Sequence, residues 1–157
     1  MSGLKQTFVT KLTDVNTTAQ EPLGSLRFEG NKVYKYVLFQ NTTATVAGAA
    51  GSLVAYFAAT GYGNHRVVAD LTDADSAVFV AGTTQAAITG TAGTAYYVWI
   101  QVKGAATLDT AVGSGAAGSP FYLTSTDKTA AIASAATQAI GGVSMNTTTG
   151  VVLDCVL

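Results

Sequence analysis

Only 11% of this 157-residue chain is charged, whereas soluble proteins carry about 25% charged residues. The net charge of −1 leaves no basic excess to neutralise phosphates, so nucleic-acid binding is not expected. The length suits a single domain, and the single cysteine excludes a framework of disulfides within the chain.

Charged residues are absent from three long stretches of the chain. Residues 37–64, 76–102 and 129–153 contain no Asp, Glu, Lys or Arg. A protein surface with so little charge tends to associate with other surfaces. We therefore expect this surface to be covered by further copies of the chain and by partners in a large assembly.

The first part of the chain differs from the rest. Eight charged residues lie within the first 36, and the first thirty residues show no convincing apolar period. We interpret residues 1–28 as an extended N-terminal arm and residues 29–157 as the body, although an ordinary polar terminus is the alternative. Deleting residues 2–25 is expected to leave the body folded. No apolar stretch follows the first charge, so we expect synthesis in a cytoplasm without a signal peptide.

The first predicted strand covers residues 31–40 (NKVYKYVLFQ), which are rich in β-branched and aromatic residues. Val33, Val37 and Phe39 fall on one face. Tyr34 and Tyr36 fall on the other, so the strand is predicted to be buried on both sides. Shorter strands are predicted at 52–59, 66–71 and 76–80.

The most regular pattern covers residues 95–103 (AYYVWIQVK), where apolar residues alternate with a mixed face. Gly104 is predicted to end this strand, and residues 105–112 to return as the second strand of a hairpin. Further strands are predicted at 121–124, 130–132, 138–145 and 151–156. An Ala-rich helix at 128–139 is the alternative for one region. The turn spacing predicts a single all-β domain, an antiparallel sandwich or barrel.

Residues 42–63 are uncharged and about long enough to span a membrane. They are built from Ala, Gly and Thr, with little Leu or Ile, which makes insertion of such a segment marginal. No membrane association is therefore predicted.

Few residues suggest catalysis. His65 is the only histidine, and no nucleophile-elbow motif accompanies it. Cys155 shares a strand face with Val151 and Leu153, which indicates a small buried hydrophobe rather than a reactive thiol. No catalytic residue is predicted, and the chain is not expected to be an enzyme.

Metal and cofactor patterns are weak as well. Asp70, Asp73 and Asp75 form one acidic cluster, but the spacing of an EF-hand is missing, which favours a turn over a calcium site. The glycine-rich residues 113–118 lack the lysine of a phosphate loop. One His and one Cys do not complete a zinc site. No metal or cofactor is predicted.

The aromatic residues allow two interpretations. Tyr97 and Trp99 stand two apart on one face of a predicted strand and could stack on a sugar. Nothing polar is visibly grouped with them, so the core or a subunit contact is the favoured role.

Several stretches resemble small virion proteins of tailed bacteriophages that decorate or cement the capsid. They are residues 8–15 (FVTKLTDV), 23–37 (LGSLRFEGNKVYKYV), 97–104 (YVWIQVKG), 118–123 (GSPFYL) and 139–143 (AIGGV). The resemblance implies a β-barrel or sandwich and many copies per particle. It also implies a homotrimer bound to the major capsid protein on the outer surface of the virion. A carbohydrate-binding tail-fibre or host-adhesion module is the alternative.

Overall fold

The computed structural model describes residues 7–57, 65–73, 79–112, 117–132, 142–144 and 149–155. These residues form ten strands and no helix, which confirms the predicted all-β fold. The strands are β1 (Leu26–Glu29), β2 (Lys32–Phe39), β3 (Leu53–Tyr56), β4 (Arg66–Val68), β5 (Val80–Thr84), β6 (Tyr96–Thr107), β7 (Pro120–Leu123), β8 (Ala130–Ile132), β9 (Gly142–Ser144) and β10 (Gly150–Asp154).

Five strands close into a barrel. Their order is β2-β4-β3-β5-β6, and β6 pairs back with β2. All neighbours are antiparallel except β2 and β4, which run parallel. Strand β1 extends the barrel beyond β2. On the other side, β10, β9, β7 and β8 continue from residues 103–107 of β6, and we call this second group the outer sheet.

The main core fills the barrel and continues under the outer sheet. Val33, Val37 and Phe39 of β2 point into it, as do Phe121 and Leu153 of the outer sheet. The opposite face of β2 is buried too, in a second cluster around Tyr34 and Tyr36. The predicted burial of β2 on both sides is therefore confirmed.

Strand β6 corrects one prediction. Residues 105–107 do not return as a hairpin, because β6 runs through Gly104 and pairs with β10. Gly104 has φ of +93°, and a Cβ there would lie 2.7 Å from the carbonyl oxygen of Asn31. The pairing of β2 with β6 also shifts register at Val33/Tyr34. Glycine at this irregularity redirects the strand instead of ending it.

Other strands begin or end a few residues away from their predicted bounds. The strand predicted at 76–80 is observed at Val80–Thr84, and residues 76–78 lie outside the described part. Residues 58–59, 133–141 and 145 also lie outside it, including most of the segment weighed as a helix. β1 begins at Leu26, inside the predicted arm, because Gly30 has φ of +60° and allows a two-residue hairpin loop.

Candidate interaction surfaces

Trp99 lies at the centre of the second hydrophobic cluster, on the outer face of β2 and β6. Its side chain is fully buried. The indole Nε1 donates a hydrogen bond of 2.9 Å to Oγ1 of Thr10, and the ring of Phe8 packs edge-on at 5.1 Å between centroids. A tryptophan enclosed in this way offers no ring face to a sugar.

The cover over Trp99 comes from residues 7–25, which we call the N-terminal segment. Oε1 of Glu21 accepts the backbone N–H groups of Val9 and Thr10, at 2.8 and 3.2 Å. The backbone of Asn16 exchanges two hydrogen bonds with Tyr97. Nη1 of Arg27 donates to the carbonyl oxygen of Thr10 at 3.0 Å. These contacts make the segment part of the packing, so we now expect its removal to destabilise the body.

Two of the three clustered aspartates organise loops, and Asp75 lies outside the described residues. The carboxylate of Asp73 accepts the backbone N–H groups of Thr42 and Thr43 and the Thr43 hydroxyl. Partial burial would raise the pKa of Asp73, but these hydrogen bonds, with the charge of Arg66, lower it overall. Both oxygens of Asp70 are used by Ala44 and Thr72. Across the described residues, no group of three or more His, Cys, Asp or Glu could hold a metal ion.

His65 sits in a tight backbone position with φ of +58°. Its ring packs against Gly24, where a Cβ would lie 2.6 Å from Nε2. Nδ1 is buried and has no hydrogen-bond partner in the described part of the chain. Burial, and then the charge of Lys35, lower the pKa of His65. The described residues supply no acid to orient the imidazole, as a Ser-His-acid triad would require.

Cys155 follows β10 and faces the main core. Burial, with a contribution from the charge of Asp154, raises the pKa of its thiol to about 12. A thiol that stays protonated at neutral pH is a poor nucleophile.

Sequence patterns did not single out Lys35, which is only 3% exposed inside the barrel. Its Nζ donates a hydrogen bond of 2.9 Å to Oη of Tyr56, and burial lowers the pKa of the amine. Neither of the salt bridges among the described residues involves it. The sequence signal for its burial is its position along β2, because Lys35 lies on the same strand face as Val33 and Val37.

The outer sheet exposes a row of apolar side chains. Ala105 pairs with Val152, Val152 with Val143, and Val143 with Pro120, so four strands contribute one residue each. Val152 is 40% exposed and Val143 is 37% exposed. We call these four residues the apolar row. Lys103 and Asp154 form a salt bridge of 3.3 Å beside it. Sequence alone did not find this row, because it depends on register between distant strands.

No family model, curated protein or solved structure matches this chain. Its function therefore has to be inferred from its own residues. Among the described residues, no helix has the length and apolar character needed to cross a membrane.

Proposed function

We propose that this chain is a structural virion protein of a tailed bacteriophage. It binds the outside of the capsid as an oligomer, for which a trimer is expected, and stabilises the shell. The partners are further copies of the chain and the major capsid protein. The resemblance of residues 8–15, 23–37 and 97–104 to decoration proteins supports this proposal.

The observation that carries the proposal is the apolar row on a chain with little charge. A regular strand face in contact with water normally carries polar residues. Around Val143 and Val152, four apolar residues instead lie side by side across this face, with the Lys103–Asp154 salt bridge on one side and exposed Thr107 on the other. Such a face suits contact with another protein surface, since charged residues are depleted at interface cores.

Stabilisation would be mechanical. A decoration protein that bridges neighbouring capsid subunits adds binding free energy that must be lost before the shell opens. Each contact can be weak, because many linked contacts on one particle act together. The chain needs no catalytic group for this role.

The test uses capsids of a phage that encodes this chain, stripped of the protein and then incubated with purified chain. Occupancy is measured by electron microscopy, and shell stability by the temperature at which packaged DNA is released. We expect saturating occupancy and a higher release temperature. Val152→Lys, which places a charge in the apolar row, is expected to lower occupancy at least tenfold.

The matched control is Thr17→Lys, which adds the same charge at an exposed position of the N-terminal segment. It is expected to bind as the original chain does. Failure of the unaltered chain to bind any capsid would refute the proposal. The sugar-binding alternative is weakened, because Trp99 is enclosed by Phe8 and Thr10.

A further inference from the structure

Among the described strands, β1 is an end strand of the sheet, with β2 as its only neighbour. Gly24 N–H donates to the Tyr36 carbonyl and Tyr36 N–H to the Ser25 carbonyl, at 2.8 and 2.9 Å. Hydrogen-bonded pairs alternate in an antiparallel sheet. Counting from Ser25, the N–H and C=O groups of Leu26 and Phe28 point away from β2, and the described residues offer these outward groups no partner.

The side chains at this edge are exposed as well. Phe28 is 70% exposed, and Val9, across an open groove of about 770 Å³, is 77% exposed. A single exposed apolar residue is ordinary on a protein surface. An exposed aromatic residue on an unpaired edge is different, because proteins usually protect such edges from pairing with other chains.

We propose that β1 pairs with β1 of a second copy of this chain, antiparallel, about a two-fold axis at Phe28. In this register the two Phe28 residues form a hydrogen-bonded pair that uses their outward N–H and C=O groups. Arg27 of each copy then lies opposite Glu29 of the other. Opposite charges directly across an antiparallel pair are favourable.

Charge also selects the register. An axis at Arg27 would pair Leu26 of each copy with Phe28 of the other and so would use more of the outward groups. It would, however, place the two Arg27 guanidinium groups opposite each other, and like charges in that position are destabilising. Within one chain Arg27 and Glu29 already form a salt bridge of 2.5 Å, so pairing would join two such bridges into a four-membered charge network.

The contact is small, and stable protein interfaces bury roughly 1,200–2,000 Å². We therefore expect weak self-association in solution that becomes effective where many copies are held close together. This contact goes beyond the proposed capsid binding and does not depend on it, since the isolated chain would show it.

The test reverses charges. Arg27→Glu and Glu29→Arg each place like charges across the proposed axis, so each variant alone is expected to associate at least tenfold more weakly than the original chain. Mixed in equal amounts, they restore opposite charges at both positions. The mixture is expected to associate within about threefold of the original chain, as measured by sedimentation velocity over a concentration series.

Lys103→Glu is the control, because it makes the same change of charge as Arg27→Glu at an exposed residue of β6. An equal loss of association in this control would overturn the proposal. So would unchanged association in the single variants, or a mixture that fails to recover. Circular dichroism of each variant shows whether the fold is kept.

A second measurement does not depend on charge. Hydrogen-bonded antiparallel pairs have Cα atoms about 5.5 Å apart, which suits a disulfide. Phe28→Cys is expected to form covalent dimers under mild oxidation at least tenfold faster than Thr17→Cys, an exposed control. The buried Cys155 with its raised pKa should not compete. Equal rates for the two variants would contradict a paired β1.

Discussion

The barrel and the outer sheet share strand β6, but the outward face is covered in the barrel and exposed in the outer sheet. In the barrel, Tyr36 and Trp99 point outward and are covered by the N-terminal segment of the same chain. In the outer sheet, Val143 and Val152 point outward, and the described residues leave them exposed. Apolar residues on a strand therefore mean core in one region and open surface in the other. What separates the two cases is whether the chain supplies its own cover.

The largest expected effect comes from truncating Trp99, the side chain that the N-terminal segment covers. Trp99→Ala deletes the central ring of the second cluster and leaves the Thr10 hydroxyl without its indole partner. We expect a loss of about 3–5 kcal/mol in the free energy of unfolding, measured by denaturant titration. Val152→Ala, the matched change on the outer sheet, should stay within about 0.5 kcal/mol. Equal losses of free energy of unfolding in the two variants would contradict the distinction between a covered and an exposed apolar face.

A smaller effect is expected from weakening the cover itself. Phe8→Ala removes the edge-on contact with Trp99 and part of the apolar area that shields it. The expected loss is about 1–2 kcal/mol, because Phe8 is only half-buried. Hydrogen exchange of the Trp99 indole N–H should also become faster. If Phe8→Ala changes neither the free energy of unfolding nor the exchange rate of the indole N–H, the N-terminal segment does not stabilise the barrel through Phe8.

The smallest expected effect concerns the barrel interior, where the buried amine of Lys35 donates a hydrogen bond to Tyr56. Lys35→Met keeps the length of the side chain and removes a buried amine. We expect a net stabilisation of about 1 kcal/mol at pH 7, because removing the buried amine outweighs the loss of its hydrogen bond to Oη of Tyr56.

This stabilisation should depend on pH. The pKa of Lys35 is lowered from 10.5 in the folded chain. Between this lowered pKa and 10.5 the unfolded chain binds more protons than the folded chain, so the original protein gains stability from Lys35 as pH rises. The advantage of Lys35→Met should therefore shrink as pH rises from 7 towards 10.5. Tyr56 and Cys155, both with a pKa raised to about 12, are present in both proteins, so the comparison is made on the difference between the two. A difference that stays constant up to pH 10.5 would contradict a buried lysine with a lowered pKa.

Alternation along single strands was readable from the sequence. The two-sided burial of β2 and the alternation of β6 up to Lys103 follow from residue types two positions apart. Gly104 was misread, since glycine often ends a strand, and only a positive φ beside Asn31 shows that here it bends one. The sequence favoured the core or a subunit contact for Trp99, but it did not indicate that Phe8 would pack against it.

The apolar row and the open edge of β1 were beyond sequence reasoning for a different reason. Each depends on which strands lie side by side, and the strands that align Val143 with Pro120 are separated along the chain. Register over such separations is set by the whole sheet, not by local pattern. Lys35 is a different case. Its parity with Val33 and Val37 is a local signal for an inward position, although the sequence pattern did not single it out.

The passage of β6 through Gly104 has a mechanical consequence. Barrel and outer sheet are joined by continuous backbone and by ladders on both sides of the bend, not by a pliable connector. A pulling force applied to the outer sheet would act on the hydrogen bonds between these strands and would be transmitted to the barrel through the backbone of β6. We therefore expect the barrel and the outer sheet to unfold together under force, because no flexible linker separates them.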